Sequence, residues 1–143
     1  MSKQAVFSDK APKPLPFFSP AIIANGPTVY CSGCTAIDPA TNKLIDGDVQ
    51  AQTHRAIQNL GFVLEAAGSS LEKVVKVNVF LMNMDDFAAV NEVYMQYWGD
   101  VKPCRTCVAV AKLPGGADVE IECIALQSRR TSTGKNVESI AML

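Results

Sequence analysis

The sequence predicts an α+β fold in which two helices pack on one face of a mixed sheet, in the order ββαβαββ. Three observations predict it. The length of 143 residues suits a single domain with one core. Two segments repeat apolar residues at the helical period, and five short segments rich in β-forming residues are bounded by turn residues. Because strands separate the two helices and no linker interrupts them, both helices are expected in one layer over one sheet.

The first twenty residues are rich in proline, which lacks the N–H that the interior of a strand or helix needs. We therefore predict an extended segment there, with at most a short edge strand at residues 5–8. Regular structure is expected to start at residues 21–24 and to continue, after the turn Asn25-Gly26, in a strand at Thr28–Cys34. The Asn-Gly turn predicts that these two strands form a hairpin.

The first helix is the strongest local signal. Between residues 49 and 67 apolar side chains recur every three or four residues, and Gly68 follows as a suitable helix end. Residues 74–82 alternate valine with polar residues, which is typical of a strand covered on at least one face. A second helix is expected to begin after Asp85 or Asp86, either of which could cap it, and to end at Gly99.

Two further strands are predicted at residues 104–111 and at Val119–Leu126, joined by the turn sequence Leu-Pro-Gly-Gly-Ala-Asp. The short connection predicts a second hairpin. Residues 127–143 are rich in Ser, Thr and Arg and poor in apolar residues. We expect them to form a mobile tail outside a domain of residues 1–126.

Composition narrows the possible functions. Thirteen Lys and Arg against fourteen Asp and Glu give a net charge of −1, which offers no positive field for a nucleic acid backbone. No apolar run approaches the roughly 20 residues of a membrane-spanning helix, and the start of the chain lacks the apolar core of a secretory signal. We therefore expect a soluble cytoplasmic protein, with a mitochondrial or peroxisomal location left open.

Five cysteines and one histidine limit the metal and redox chemistry. The pairs Cys31/Cys34 and Cys104/Cys107 are separated by 69 residues, whereas the two pairs of a zinc site normally lie roughly 15–20 residues apart. Both pairs also fall in predicted strands and not at the start of a helix, where a redox thiol would be activated. We expect no metal site.

Arg105 is the one charged residue in the predicted strand at 104–111. A guanidinium in apolar surroundings is stabilised by a bidentate carboxylate. That carboxylate can be internal, from Glu120 or Glu122 on the neighbouring strand, or it can belong to a ligand. Alternation places both glutamates on one face of their strand, so two carboxylates are available for one arginine. These residues alone leave both interpretations open.

Several short segments carry a recognisable pattern. The most specific is Pro-Cys-Arg-Thr-Cys-Val-Ala-Val-Ala-Lys-Leu-Pro from Pro103, followed by Val-Glu-Ile-Glu from Val119. The others are Phe-Ser-Pro-Ala from Phe18, Tyr-Cys-Ser-Gly from Tyr30, Leu-Glu-Ala-Ala-Gly from Leu64, and Asp-Phe-Ala-Ala-Val-Asn from Asp86 with Tyr94. In this order, over about residues 4–126, they resemble the RidA/YjgF family of reactive-intermediate deaminases, also called the L-PSP endoribonuclease-like family.

The resemblance implies a chorismate-mutase-like α+β subunit, assembled as a homotrimer with ligand clefts at the subunit interfaces. It implies hydrolysis of 2-imino acids, the unstable products of pyridoxal-phosphate dehydratases acting on threonine or serine, to 2-oxo acids and ammonia. The expected substrates are 2-iminobutanoate and 2-iminopropanoate, and the resemblance implies no metal or cofactor.

Site residues follow from the same resemblance. Arg105 matches the arginine that binds the substrate carboxylate, and Glu120 matches the acid that positions or activates water. The other matched positions line the cleft and bind substrate, Cys107 through its backbone N–H: Phe18, Ser32, Gly33, Asn91 and Cys107. Phe18 departs from the tyrosine usual in the family, and a phenyl ring donates no hydrogen bond.

Two other functions stay open. A non-catalytic trimer could bind small carboxylates or client proteins through the same clefts, an alternative that the departure at Phe18 favours. Ribonuclease or translation-inhibitor activity is also associated with the family. The net charge of −1 and the lack of a basic stripe weigh against nucleic acid as a partner.

Overall fold

The computed structural model describes residues 2–10, 13–19, 21–130 and 136–137. It confirms the predicted fold class. The helices are α1 (Val49–Ala66) and α2 (Phe87–Tyr94). The strands are β1 (Ser2–Val6), β2 (Ala21–Asn25), β3 (Thr28–Cys34), β4 (Ile37–Asp38), β5 (Lys43–Leu44), β6 (Val74–Leu81), β7 (Cys104–Ala109), β8 (Val119–Leu126), β9 (Arg129–Arg130) and β10 (Asn136–Val137).

A mixed four-stranded sheet in the order β3-β8-β6-β7 carries the core. β8 runs antiparallel to both of its neighbours, whereas β6 and β7 are parallel. On one face, alternate residues of β6 and β8 such as Val77 and Ile121 are fully buried with Leu60 of α1 and Tyr94 of α2. Among the described residues no helix covers the other face. One face of the sheet therefore holds the core, and the other is open to a partner or to solvent.

The predicted hairpin across Asn25-Gly26 is wrong, because β2 pairs with β1 and not with β3. A two-residue Asn-Gly turn is closed by a hydrogen bond from the N–H of the residue that follows it. Here that residue is Pro27, which has no N–H to donate. The chain therefore leaves β2 through a different bend and enters β3 in the main sheet.

The predicted hairpin of the last two long strands is also wrong. β6 lies between β7 and β8 and pairs with both of them. The two eight-residue strands, β6 and β8, contain four and five buried residues and take the two central positions. β7 has no fully buried residue and lies at the edge. Burial of the most apolar strands thus overrides the proximity that a short turn favours.

The first helix is confirmed at both ends. The Asp48 side chain caps α1 by accepting a hydrogen bond of 2.9 Å from the Ala51 N–H. Gly68, two residues beyond the helix, has a φ of +74°, a left-handed conformation that costs glycine little. The helix therefore stops where the sequence pattern predicts.

The second helix differs from the prediction in its cap and in its length. α2 begins after Asp86, as predicted, but the Asp86 side chain makes no capping hydrogen bond; the Asn83 side chain instead caps the preceding 3₁₀ turn by accepting from the Asp85 N–H. α2 then ends five residues before Gly99. The Lys102 ammonium binds the backbone carbonyls of residues 95, 97 and 99, which stabilises a turn in place of further helix.

Short strands pair near both ends of the described chain, β1 with β2 and β9 with β10. β1 occupies residues 2–6, earlier than the strand predicted at 5–8. After β8 the backbone N–H groups of Gln127 and Ser128 bond to Pro27 and Gly68, and β9 then pairs with β10. The rest of the predicted tail lies outside the described residues. Within them, none of the helices combines the length and the apolar character that crossing a membrane requires.

Candidate active site

Arg105 lies on the edge strand β7 and faces the helix layer. Its register partner on β6 is Val77, whose side chain is fully buried beneath the helices. The Arg105 Nη1 donates a hydrogen bond of 2.7 Å to the Asn91 Oδ1 of α2. Cys107, two residues further along β7, pairs with buried Val79 and is half-buried on the same face. Three predicted site residues, Arg105, Asn91 and Cys107, therefore lie together.

Aromatic rings surround the Arg105 guanidinium. Its Cζ lies 4.4 Å from the ring centroid of Phe17, 4.7 Å from that of Tyr94 and 5.5 Å from that of Phe87. Contacts of this kind contribute about 0.5–2 kcal/mol each, more where water is excluded. Burial lowers the pKa of Arg105, while Tyr94 and Cys107 act in the opposite direction. We call Arg105, Asn91, Cys107, Phe17, Phe87 and Tyr94 the arginine cluster.

The guanidinium keeps unused hydrogen-bonding capacity. It has five N–H donors, and among the described residues one side-chain partner, Asn91, accepts from it. The ionisable groups that act on it are Tyr94 and Cys107, and no glutamate is among them. The internal ion pair with Glu120 or Glu122, one of the two interpretations open from the sequence, is therefore not formed within the described chain. The arrangement suits a carboxylate that comes from outside.

Glu120 lies on β8 with its side chain on the face away from the helices. Its register partner is the half-buried Phe80, and the residues on either side of it in β8 are buried. Gly33 of β3 lies against it, since a Cβ on Gly33 would come within 2.9 Å of Glu120 Cδ and would overlap its Oε1. Ser32, next to Gly33, is exposed. We call Glu120, Ser32 and Gly33 the glutamate cluster.

Glu122, the second carboxylate of β8, has its own partner. It accepts a hydrogen bond of 2.9 Å from the Asn78 Nδ2 on β6. Glu122 is therefore held within the sheet, whereas the Glu120 carboxylate lies beside the Gly33 backbone. The two glutamates that the sequence leaves equivalent are distinguished by the neighbouring strands.

One predicted site residue lies apart from both clusters. Phe18 lines a recess of about 440 Å³ together with Phe7, Leu15 and Val101. Its neighbour Phe17 is the residue that contacts Arg105. Phe17 lies in a turn in which the Phe18 N–H donates to the Leu15 carbonyl at 3.4 Å, and the two phenylalanine rings lie 5.8 Å apart at 54°.

Sequence reasoning did not assign Phe17, Phe87 or Tyr94 to the site. A signal was present for the last two, because residues 87, 91 and 94 have the i, i+4, i+7 spacing of one helix face. Asn91, assigned through the family resemblance, marks that face. No comparable signal distinguishes Phe17 from Phe18.

The described residues also bear on metal ligation and on the ionisation of the thiols. Their His, Cys, Asp and Glu side chains form no group of three that could share a metal ion. Burial raises the pKa values of Cys34, Cys107 and Cys123, which disfavours the reactive thiolate.

Two helices over one face of a mixed sheet, with an arginine enclosed between the edge strand and α2, define a chorismate-mutase-like α+β subunit. The family model described as Endoribonuclease L-PSP matches residues 8–127. A RutC family protein of Pyrococcus abyssi is 45% identical over 125 residues, which cover 87% of this chain and 98% of that protein. The chain belongs to the RidA/YjgF family, whose members are also described as L-PSP endoribonucleases.

Solved structures agree with this assignment. RidA from an Antarctic Psychrobacter is 42% identical, with a TM-score of 0.67 over 86% of this chain and 98% of that one. E. coli TdcF with bound serine is 33% identical, with a TM-score of 0.67 over 87% of this chain and 99% of that one. Both have the fold described above.

Proposed function

We propose that the protein is a deaminase that hydrolyses 2-imino acids, in particular 2-iminobutanoate and 2-iminopropanoate, to 2-oxo acids and ammonia. The observation that carries the proposal is the enclosed Arg105 guanidinium, which bonds to Asn91 and keeps donors free. A 2-imino acid has a carboxylate directly beside the C=N carbon. Binding that carboxylate through the planar guanidinium would fix the position of the reacting carbon as well.

The reaction needs little from the protein beyond orientation and one proton carrier. Water attacks the electrophilic C2, forming a C–O bond, and the C=N electron pair moves to nitrogen to give a carbinolamine. Glu120 is the group proposed to accept the proton of the water and to return it to the nitrogen. A second proton then passes from the carbinolamine hydroxyl to the nitrogen, again through Glu120, so that the C–N bond breaks, ammonia leaves and the C2 carbonyl forms. The Cys107 backbone N–H is proposed as a further donor to the substrate.

In this proposal, residues of two neighbouring chains together form the active site. Arg105 and Glu120 lie on opposite faces of the sheet, so one chain does not present both to the same substrate. In a homotrimer, the arginine cluster of one subunit would meet the glutamate cluster of the next, in a head-to-tail contact that closes a ring. The sheet face without a helix supports this assembly, because Tyr30 and Val108 on it are 77% and 42% exposed in the single chain.

The names of relatives bear on the substrate class of the proposed deaminase and on the ribonuclease alternative. TdcF was solved with bound serine, an amino acid whose carboxylate and C2 nitrogen resemble those of a 2-imino acid. The family description also names an endoribonuclease, but a net charge of −1 disfavours binding to an RNA backbone. A non-catalytic carboxylate binder would require the arginine cluster and would not require Glu120.

The deciding experiment generates 2-iminobutanoate with a threonine dehydratase and follows the formation of 2-oxobutanoate. The protein is expected to accelerate this step, and Arg105→Lys, which keeps the charge but loses the bidentate fork, is expected not to. Glu120→Gln separates catalysis from binding, because it should still bind 2-oxobutanoate. Binding without acceleration by the wild-type protein would contradict the deaminase and identify the non-catalytic binder. Cleavage of RNA that is lost in Arg105→Lys would favour the ribonuclease.

A further inference from the structure

We infer that Phe17 is a positioning residue for Arg105, an inference that rests on the carboxylate-binding role proposed for that arginine. Of the three rings around the guanidinium, that of Phe17 is nearest, at 4.4 Å from Arg105 Cζ. It also meets the Phe87 ring edge-to-face, with centroids 5.9 Å apart at 82°. The other two rings belong to α2, so Phe17 brings a separate part of the chain onto the guanidinium.

A ring face and a carboxylate use different parts of a guanidinium. A ring that stacks on a guanidinium contacts it from above its plane, whereas the N–H donors point outward within that plane. With the Phe17 ring at 4.4 Å from Cζ, we expect it to leave donors free and to restrict the directions in which they point. It also excludes water from one side, which strengthens the attraction between the guanidinium and a bound carboxylate. Both effects are expected to act on the affinity for carboxylates.

The position of Phe17 is itself held by hydrogen bonds. The Ser19 hydroxyl donates to the Lys102 carbonyl, and the Ser19 N–H donates to the Pro103 carbonyl at 3.1 Å. Ser19 is only 5% exposed. These contacts fasten residues 16–19 to the two residues directly before β7. Phe17 and Arg105 are therefore positioned by the same short stretch of backbone, and the pair can act as one unit.

The test measures the Kd of 2-oxobutanoate by isothermal titration calorimetry on the full-length protein. Phe17→Leu keeps an apolar side chain but has no π face, whereas Phe17→Trp and Phe17→Tyr retain one. Phe17→Leu is expected to weaken binding about 5- to 30-fold, the equivalent of about 1–2 kcal/mol, and the two aromatic variants to restore it. Phe62→Leu, on a surface phenylalanine of α1 that is 57% exposed, is the matched control and should bind like wild type.

An unchanged Kd in Phe17→Leu, or a loss that neither aromatic variant restores, would overturn the inference. So would a loss in Phe18→Leu that exceeds the loss in Phe17→Leu. Phe17→Met serves in place of Phe17→Leu if the leucine variant does not fold. Failure of the proposed function is recognised separately, because wild type would then not accelerate imine hydrolysis even though the Kd values follow the pattern above.

Discussion

Arg105 and Glu120 lie on opposite faces of the same sheet, with β6 between the strands that carry them. Aromatic rings and the Asn91 amide surround Arg105, which suits its proposed role in binding a carboxylate. The Glu120 carboxylate lies beside the Gly33 backbone, which suits its proposed role in moving a proton. A reaction that uses both must therefore draw them from two copies of the chain. This relationship leads to the most direct prediction about assembly.

Mixed assemblies of Arg105→Ala and Glu120→Ala chains should recover activity that neither variant has alone. In a randomly mixed trimer at equal amounts, half of the chains supply an intact arginine and half supply an intact glutamate. The product of these fractions gives about a quarter of the wild-type sites. The measurement is imine hydrolysis after the two chains are unfolded, mixed and refolded together.

The control mixes Arg105→Ala with the double variant Arg105→Ala/Glu120→Ala, which offers no intact arginine and should stay inactive. No recovery in the first mixture, with normal trimers by light scattering, would mean that the two residues do not act across an interface.

Asn91→Asp should turn the free arginine into an internally paired one. The Asn91 Oδ1 lies 2.7 Å from Arg105 Nη1, so an aspartate there would form a charge-assisted ion pair with the guanidinium. We expect 2-oxobutanoate to bind about tenfold more weakly or worse, because the carboxylate must compete with this internal one. The measurement is the Kd of 2-oxobutanoate by calorimetry. The melting temperature of the variant checks that it is folded. Undiminished affinity would show that the guanidinium is not the carboxylate site.

Gly33→Ala should lower kcat while leaving the affinity for the substrate carboxylate nearly unchanged. The added Cβ would overlap the end of the Glu120 side chain, which can rotate away without unfolding the protein. Loss of an aligned general base typically costs about 100-fold or more in rate. Separate kcat and KM values for 2-iminobutanoate test this expectation, and a change in KM alone would contradict it.

Gly61→Ala is the matched control for that variant. A Cβ on Gly61 would meet Leu71 Cδ1 at an ordinary 3.6 Å. Because Gly61 lies within α1, alanine should raise the free energy of unfolding by about 0.5–1 kcal/mol and leave the activity unchanged.

Lys3 should make stability rise with pH in the alkaline range. Its ammonium donates to the Val74 carbonyl at 2.8 Å, and burial lowers its pKa from 10.5 to about 8, against an opposing effect of Glu72. Between these two values the unfolded chain binds more protons than the folded chain, so the free energy of unfolding increases with pH. The full shift is not expected, because the amine keeps access to water.

Lys3→Met removes this titration. Relative to the variant, wild type should gain on the order of 1 kcal/mol between pH 8 and pH 10.5, measured by urea denaturation at each pH. A stability difference that does not vary with pH would contradict the prediction.

Much of the secondary structure could be predicted because it depends on neighbours in the chain. The first helix and the strand Val119–Leu126 match their patterns, since the period of apolar residues is a local property. Strand partners depend on distant residues. Pro27 lacks the N–H that a hairpin of β2 and β3 needs. β8 pairs with β6 and not with β7, its partner in the predicted hairpin.

For the same reason, some residues of the site could be predicted from the sequence and others could not. Arg105 stands out as a charge in an apolar strand, and the family resemblance assigns Asn91, which the structure shows bonded to Arg105, to the same cleft. Phe17 and Phe18 are the same residue type and adjacent in the chain, but the ring over the Arg105 guanidinium is that of Phe17. No pattern within residues 16–19 contains that information.

The sequence by itself determined the fold class and the family, and it pointed to Arg105 as the arginine that we propose binds a carboxylate. These depend on periodicity, on motif order and on the cost of a guanidinium in apolar surroundings, all of which are properties of short segments. Only the tertiary structure decided which glutamate accepts a hydrogen bond from Asn78, which phenylalanine lies on the guanidinium, and that Arg105 and Glu120 face opposite ways. Those outcomes follow from strand order and from contacts between residues far apart in the chain, where burial of the most apolar strands prevails over local turns.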